Sequence, residues 1–366
     1  MPKLQPLCLI AGFRRAQEIG RVIDVALGSG LDVVVSLDRP SDDRGKWSKD
    51  WEEVVRVAHG YPALKDLWQY DSPLGCARHL QTAVSRAFAE REDVIILEDD
   101  TLPSPYFFQY CQDMLAAYRD NAEVGMICGS RHVPRTVVDG RFLSHWPIIW
   151  GWAAWRRTWD AYEPKVDLSE HDLQSIRCML PPGFPDSFAR WLRFDLQQIE
   201  QGSLDTWDIQ LAWSMLKRRQ LSLYPSANLV TNIGVPGASA SNKRTFDHSL
   251  FRPRYLDEQR KNQPSRASIA ANQWHAQWVT HSYLFELQAQ LADPSQVGSS
   301  AVDLVNTPDL VNAPREIRFF YRYYLPCKIR CAELLKRLRI YGVVQAVLRS
   351  IGSLLRKCHA LMRPSE

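Results

Sequence analysis

With 366 residues, 45% hydrophobic and 23% charged, the chain has enough apolar material for a sizeable core, which excludes a disordered protein and allows one large or two ordinary domains. The net charge of +4 hides an asymmetry: Ala313 to Glu366 holds 12 Lys or Arg against 3 acids, leaving an acidic body at -5. The 8 Cys are scattered without a CxxC pair, which argues against a disulfide scaffold or structural zinc and points to a reducing compartment.

The opening "MPKLQPLCLIAGF" carries one Lys and a strand-like run, a poor match to a signal peptide. "LCLIAGF" (7 to 13) and "LDVVVSLDRP" (31 to 40) read as strands. Between them "AQEIGRVIDVALGSG" has helical spacing through Ile19, Val22, Ile23, Ala26 and Leu27. Such a βαβ unit implies a parallel sheet. "LGCARHLQTAVSRAFAEREDVIILEDD" repeats the pattern, and "EVGMICGS" (123 to 130) adds a strand.

From 141 to 230 the chain is rich in Trp, with helical segments near 186 to 201 and 207 to 219 and one or two strands in "LSLYPSANLVTNIG". "NQWHAQWVTHSYLFELQAQL" has a helical pattern, and 292 to 314 has the Pro, Ser, Gly and Asn content of a linker. The division expected is a catalytic domain over 1 to 291, that linker, and a basic amphipathic helical tail over 315 to 366. In the tail Val344, Val347, Leu348, Ile351, Leu354 and Leu355 share one helical face. This face suits an anionic membrane surface, or packing on the body or a partner. No run approaches the roughly 18 apolar residues of a spanning helix, so the expected location is cytoplasmic, peripheral at the inner face of a membrane.

The stretch "VIILEDDTLPSPYFFQYC" carries the chemistry. Four aliphatic residues end on Glu98, Asp99 and Asp100, ahead of a helix expected to start at Ser104 and Pro105. In an open α/β sheet ligands gather at the carboxyl ends of strands, so the trio is expected at the mouth of the sheet. Adjacent carboxylates there demand a compensating cation or basic side chain, unless they only solvate a strand end. Oxygen ligands beside a phosphate favour Mg or Mn over zinc. Further on, "SLDTWDIQLAW" places Asp205 and Asp208 at a helix start, where either carboxylate could cap backbone N–H groups. Trp146, Trp150, Trp152, Trp155 and Trp159 are core aromatics or the walls of a sugar site.

Taken in order, five patterns resemble nucleotide-sugar transferases of the GT-A fold, and most of all the N-acetylglucosaminyltransferase I group: "LIAGFRR", "VVVSLDRP", "CARHLQTAVSRAF", "EDDTLPSPYFFQY", and "GWAAWRRTWDAYEPK" followed by "WDIQ". The resemblance implies a Rossmann-like, mixed and mainly parallel α/β sheet flanked by helices. It implies nucleotide or donor contacts at Gly12, Arg14, Asp38, Arg78, His79, Glu98 and Asp99, and a divalent ion, Mn2+ or Mg2+, at Asp100. Asp208 is implied as catalytic base, with Trp150, Trp152 and Trp207 on the acceptor side. Two positions depart from the pattern, Phe13 and Ile209 standing where the family has acids. They bear on the sugar and the acceptor more than on the reaction.

The function expected is inverting transfer of GlcNAc or another hexose or HexNAc from a UDP-sugar to a hydroxyl of a glycan or lipid-linked acceptor. The Gly- and Ser-rich segment from Asn232 to Arg244 is expected as a lid over the donor. Two alternatives stand beside it: a nucleotidyltransferase, for which "AGFRRAQEIG" is a poor Gly-rich loop, and a non-catalytic membrane-associated carbohydrate-binding protein on a transferase scaffold. Nucleic acid is not an expected partner, since the body is acidic and no nucleic-acid motif is present.

Overall fold

A computed structural model of the protein describes residues 5–41, 47–133, 138–169 and 171–234, together with 269, 271–273 and 275–276. The chain falls into two units, one of Met1–Phe184 with Leu192–Ala276 and one of Pro185–Trp191 with Gln277–Glu366. The architecture that follows is that of the first. Of the second, only Pro185–Trp191 is described. The linker, the basic tail, the lid beyond Gly234 and most of the helix expected after Asn272 lie outside the described residues.

The anticipated βαβ unit forms as β1 (Leu7–Gly12), α1 (Ala16–Leu27) and β2 (Val33–Leu37), with β2 pairing parallel to β1. Its helix buries Ile19, Val22, Ile23 and Ala26, the three- and four-residue spacing that forms a single apolar stripe. Along the strands every second residue (Cys8 and Ile10, Val33 and Val35) joins that stripe in one buried cluster, as the pleat requires. Helix α2 (Ser48–His59) leads to the edge strand β3 (Asp66–Gln69), parallel to β2; neither element was anticipated. Helix α3 (Cys76–Glu90) lies against β1 and β4 (Asp93–Glu98). Its buried Leu80, Ala83, Val84 and Ala87 lie outside the α1 cluster.

Beyond β4 come the short β5 (Thr101–Pro103), α4 (Pro105–Ala117), β6 (Val124–Cys128), β7 (Phe142–Ser144) and β8 (Trp152–Trp155). Helices α5 (Arg156–Trp159), α6 (Leu173–Met179), α7 (Asp186–Glu200) and α8 (Asp208–Lys217) precede β9 (Leu221–Tyr224) and β10 (Val230–Asn232). The main sheet has eight strands in the order β3-β2-β1-β4-β8-β6-β9-β7, and β5 pairs with β10 in a small second sheet. Strands β8 and β7 run antiparallel to their neighbours and the other pairings are parallel, so the sheet is α/β, mixed and mainly parallel.

Strand β8 is inserted between β4 and β6, with Ile96 opposite Trp152 and Asp93 opposite Trp155. A strand paired on both sides and buried on both faces takes apolar residues throughout, and "WAAW" is buried along its whole length. Among the described residues five cysteines are free, Cys8, Cys76, Cys111, Cys128 and Cys178. No described helix is long and apolar enough to cross a membrane.

Candidate active site

The strand order brings the carboxyl ends of β1, β2 and β4 side by side. Just beyond them the Asp38 N–H donates to the Gly12 carbonyl at 3.2 Å and the Asp99 N–H to the Ala11 carbonyl at 2.8 Å. Asp38, Asp99 and the acids flanking Asp99 therefore share one rim. A Cβ on Gly12 would stand 2.6 Å from Ile19 Cδ1 and 3.4 Å from Asp99 Cβ, so Gly lets these side chains pack close to the strand end. Its role in the structure is to let α1 and the Asp99 turn approach the strand.

The trio is strongly desolvated. Asp99 is 3% and Asp100 9% exposed. Asp99 accepts from the Phe13 N–H at 3.1 Å and pairs with Arg15 Nη1 at 2.5 Å. Arg15 Nη2 lies 3.2 Å from Asp100 Oδ2. A guanidinium forked across two carboxylates is the basic compensation that such a cluster demands. It comes from Arg15, the neighbour of the Arg14 that the resemblance assigns to the nucleotide. The Arg14 guanidinium lies 3.6 Å over the Trp47 ring, a cation–π contact.

One guanidinium does not balance three carboxylates. Burial, then the charges of Asp100, Asp99 and Asp208, push Glu98 well above the usual carboxylate range. Burial, then Asp99, raise Asp100 to about 6, against the opposing pull of Arg15 and a side-chain hydrogen bond from Asn232. The Asp100 carbonyl accepts from the Ile233 N–H at 2.7 Å. A Cβ on Gly234 would meet Asp100 Oδ2 at 2.5 Å. The β5–β10 pairing thus lays the start of the Asn232 segment directly on Asp100.

Asp208 stands at the first position of α8 and accepts a short hydrogen bond from Thr206 Oγ1. Its charge is felt at Glu98 and at Tyr162, so the fold brings it into the electrostatic neighbourhood of the trio although 107 residues separate it from Thr101. The capping role that either acid could have filled belongs to Asp205, and to a different helix. Asp205 accepts from the Cys76 N–H at 2.9 Å and the Ala77 N–H at 3.0 Å at the start of α3.

The nucleotide-side residues are placed less uniformly. Asp38 accepts from the N–H groups of Leu74 and Gly75, both at 2.9 Å, so its carboxylate fastens the turn into α3. Burial raises its pKa despite these bonds. His79 is 3% exposed and its Nε2 lies 2.9 Å from Ser36 Oγ, which in turn lies 3.0 Å from the Tyr70 hydroxyl. Burial holds this imidazole neutral, with a pKa of about 4. Through Ser36 it ties α3 to β2 and to Tyr70, just past β3. Arg78, one residue earlier, is exposed.

The aromatic residues expected on an acceptor side divide. Trp152 and Trp207 are 1% and 2% exposed and stack on each other, centroids 5.8 Å apart. Both are buried in the core: Trp152 belongs to a doubly paired strand, and side chains this buried present no open face for a sugar. Trp150 is half-buried, edge-on to His132 at 4.9 Å.

Residues that the pattern did not point to include Arg15, Asp205, Ser36, Tyr70 and Tyr162. The Tyr162 hydroxyl donates to the Trp207 carbonyl at 3.4 Å and accepts from Gln81 Nε2 at 3.1 Å. It also borders a cavity of about 430 Å³ that Ser85, Phe88, Trp159 and Pro164 help to line. Among the described residues no group of three or more His, Cys, Asp or Glu side chains is arranged to hold a metal ion.

No protein-family model and no curated protein matches the chain. Solved structures do. S. aureus TarS 1-349 is 13% identical over 47% of this chain and 55% of that chain, with a TM-score of 0.32. TarS 1-349 in complex with UDP-GlcNAc is 15% identical over 47% and 53%, with a TM-score of 0.31. UDP-glucose pyrophosphorylase complexed with UDP-glucose is 8% identical over 63% and 94%, with a TM-score of 0.34. The chain spans about half the length of these TarS 1-349 structures. Likenesses this distant say nothing of activity.

Proposed function

We propose that the chain is a metal-dependent, inverting glycosyltransferase that moves a sugar from a UDP-sugar to a hydroxyl of a glycan or lipid-linked acceptor. One observation carries this reading: an under-compensated acid trio at the carboxyl ends of β1 and β4 stands within electrostatic reach of Asp208. The ordered motifs that resemble the N-acetylglucosaminyltransferase I group make UDP-GlcNAc the first donor to test.

A fully protein-built metal cage does not suit these residues, because Asp99 is taken up by Arg15 and the Phe13 N–H. Asp100 is the residue that would hold a divalent ion here, with the donor's diphosphate completing the site. Magnesium-type sites commonly use one or two carboxylates plus substrate phosphates, and Arg15 holds Asp100 less closely, at 3.2 Å, than it holds Asp99, at 2.5 Å. When bound, a divalent ion would supply Lewis-acid stabilisation of the departing diphosphate.

The chain's own residues supply the rest. Arg15 brings a guanidinium to the same rim, where charge builds on the leaving group. Asp38 holds the turn into α3 that borders the nucleotide side, and Glu98 meets the ribose and sugar, while Asp99 stays engaged by Arg15 and the Phe13 N–H. Asp208 accepts the proton of the attacking hydroxyl, a step worth about 10²–10⁴-fold when the base is in hydrogen-bond reach. Attack from its side, opposite the departing diphosphate, inverts the anomeric centre.

The test is Mn2+-dependent release of UDP from a panel of UDP-sugars, with and without lipid-linked saccharides. Asp208→Asn is expected to lower turnover at least 100-fold with UDP affinity preserved. A wild-type rate in that variant would remove Asp208 from the mechanism.

A further inference from the structure

Four consecutive backbone N–H groups, those of Leu74, Gly75, Cys76 and Ala77, are taken by two carboxylates. Asp38 accepts from Leu74 and Gly75, both at 2.9 Å. Asp205 accepts from Cys76 and Ala77 at 2.9 and 3.0 Å. The first carboxylate belongs to the carboxyl end of β2 on the nucleotide side. The second belongs to the segment that runs into Asp208, three residues on. We propose that Asp205 is a positioning residue, a staple that fixes the Asp205–Asp208 segment, and with it the proposed base, to the turn that Asp38 holds on the donor side. The proposal rests on the glycosyltransferase reading for its consequence in turnover, though the staple itself does not.

The local geometry explains why this contact is long-range. Helix α3 has Gly75 at its N-cap, with φ 81° and no side chain of its own to cap the helix. The exposed N–H groups of the first turn therefore need an acceptor from elsewhere, and a carboxylate there is further favoured by the helix dipole. The acceptor comes from 128 residues further along the chain. Glycine is also required sterically, since a Cβ at Gly75 would stand 2.9 Å from Asp205 Oδ2.

On its other side the segment is held by Trp207, whose carbonyl accepts from Tyr162 at 3.4 Å and whose ring stacks on Trp152. Thr206 is fixed through its carbonyl by Gln210 Nε2 at 2.6 Å. Without Asp205 the segment keeps its anchor in the core and loses its anchor to α3. The expected result is a displaced base in an otherwise intact fold, and displacements near 1 Å can cost about 10²-fold in rate.

The test uses the full chain with UDP-GlcNAc and Mn2+, water being the acceptor. Asp205→Ala is expected to lower kcat about tenfold or more while KM for UDP-GlcNAc stays within about twofold, because the loss falls on the chemical step. Asp205→Asn keeps one acceptor oxygen and should recover part of the rate. Gly75→Ala attacks the same contact from the opposite side and should reproduce the kcat loss. Amide hydrogen exchange should rise at 74–78 and 205–210 in Asp205→Ala and remain unchanged in β1 and β4; exchange rising everywhere would mean global unfolding, leaving Asp205→Asn and Gly75→Ala to decide. A rise in KM at unchanged kcat would make Asp205 a donor ligand and overturn the proposal. Unchanged exchange at 205–210 would overturn it as well. If the wild-type chain releases no UDP, the functional reading is at fault, and the exchange measurement still decides whether the staple exists.

Discussion

Replacing Asp100 by Asn should make the protein more stable while disabling its proposed chemistry. The carboxyl is 9% exposed, and burial together with Asp99 raises its pKa from 3.8 to about 6. An acid whose folded pKa lies above its unfolded value binds more protons when folded, so its charge opposes folding above pH 6. That opposition is withdrawn as the pH falls from about 6 toward 3.8. At 1.36 kcal/mol per pKa unit the shift corresponds to roughly 3 kcal/mol at pH 7.5 and roughly 1 kcal/mol at pH 4.5. Asn keeps the shape and removes the charge, and Arg15 retains Asp99 as its partner at 2.5 Å. Urea unfolding of wild type and Asp100→Asn at the two pH values measures the difference; Glu98, which the charge of Asp100 helps to push up, relaxes in the variant and adds to the gain in the same direction. A variant less stable than wild type at pH 7.5, or a gain equal at both pH values, would refute the reasoning. A stabilised but inactive variant is the trade expected where a site stores unfavourable charge for function.

Arg15→Gln should act in the opposite direction, leaving two largely buried carboxylates without their counter-charge. The cost is about 3–5 kcal/mol at pH 7.5 and shrinks on acidification, again read by urea unfolding. His79 titrates with the other sign: its folded pKa of about 4 lies below the ordinary 6.5, so its contribution is present above pH 6.5 and is lost as the pH falls toward 4. His79→Gln should therefore flatten the acid limb of the wild-type stability profile over that window, which thermal melts at stepped pH would reveal. Gly129→Ala places a Cβ 2.5 Å from the Phe107 ring, 2.7 Å from Val230 and 2.8 Å from the Gly151 carbonyl. Overpacking against backbone should cost about 1–3 kcal/mol, measured as a lower urea midpoint at unchanged slope.

What the sequence determined by itself was local. The alternation of apolar runs with helical stripes gave the βαβ start, because strand and helix periods are set by residues within a few positions of one another. The placement of Glu98, Asp99 and Asp100 at a strand end, and of Ser104 and Pro105 at a helix start, was legible for the same reason. Ser104 takes the N-cap position with Pro in the first turn, although its hydroxyl makes no capping bond. The edge strand β3, "DLWQ", was missed because a four-residue strand with a single buried side chain carries little period.

Tertiary structure alone decided which neighbour in a pair does what. Arg14 and Arg15 are adjacent and alike in type, yet one lies on Trp47 and the other forks across acids 84 residues away. Asp205 and Asp208 sit in one short motif, yet Asp205 caps a helix formed 128 residues earlier and the charge of Asp208 acts on Glu98. "WAAW" became a core strand because it entered between β4 and β6, a pairing that no local pattern encodes. In each case the deciding partner is far along the chain, and a side chain's direction at a turn depends on which surface folds over it.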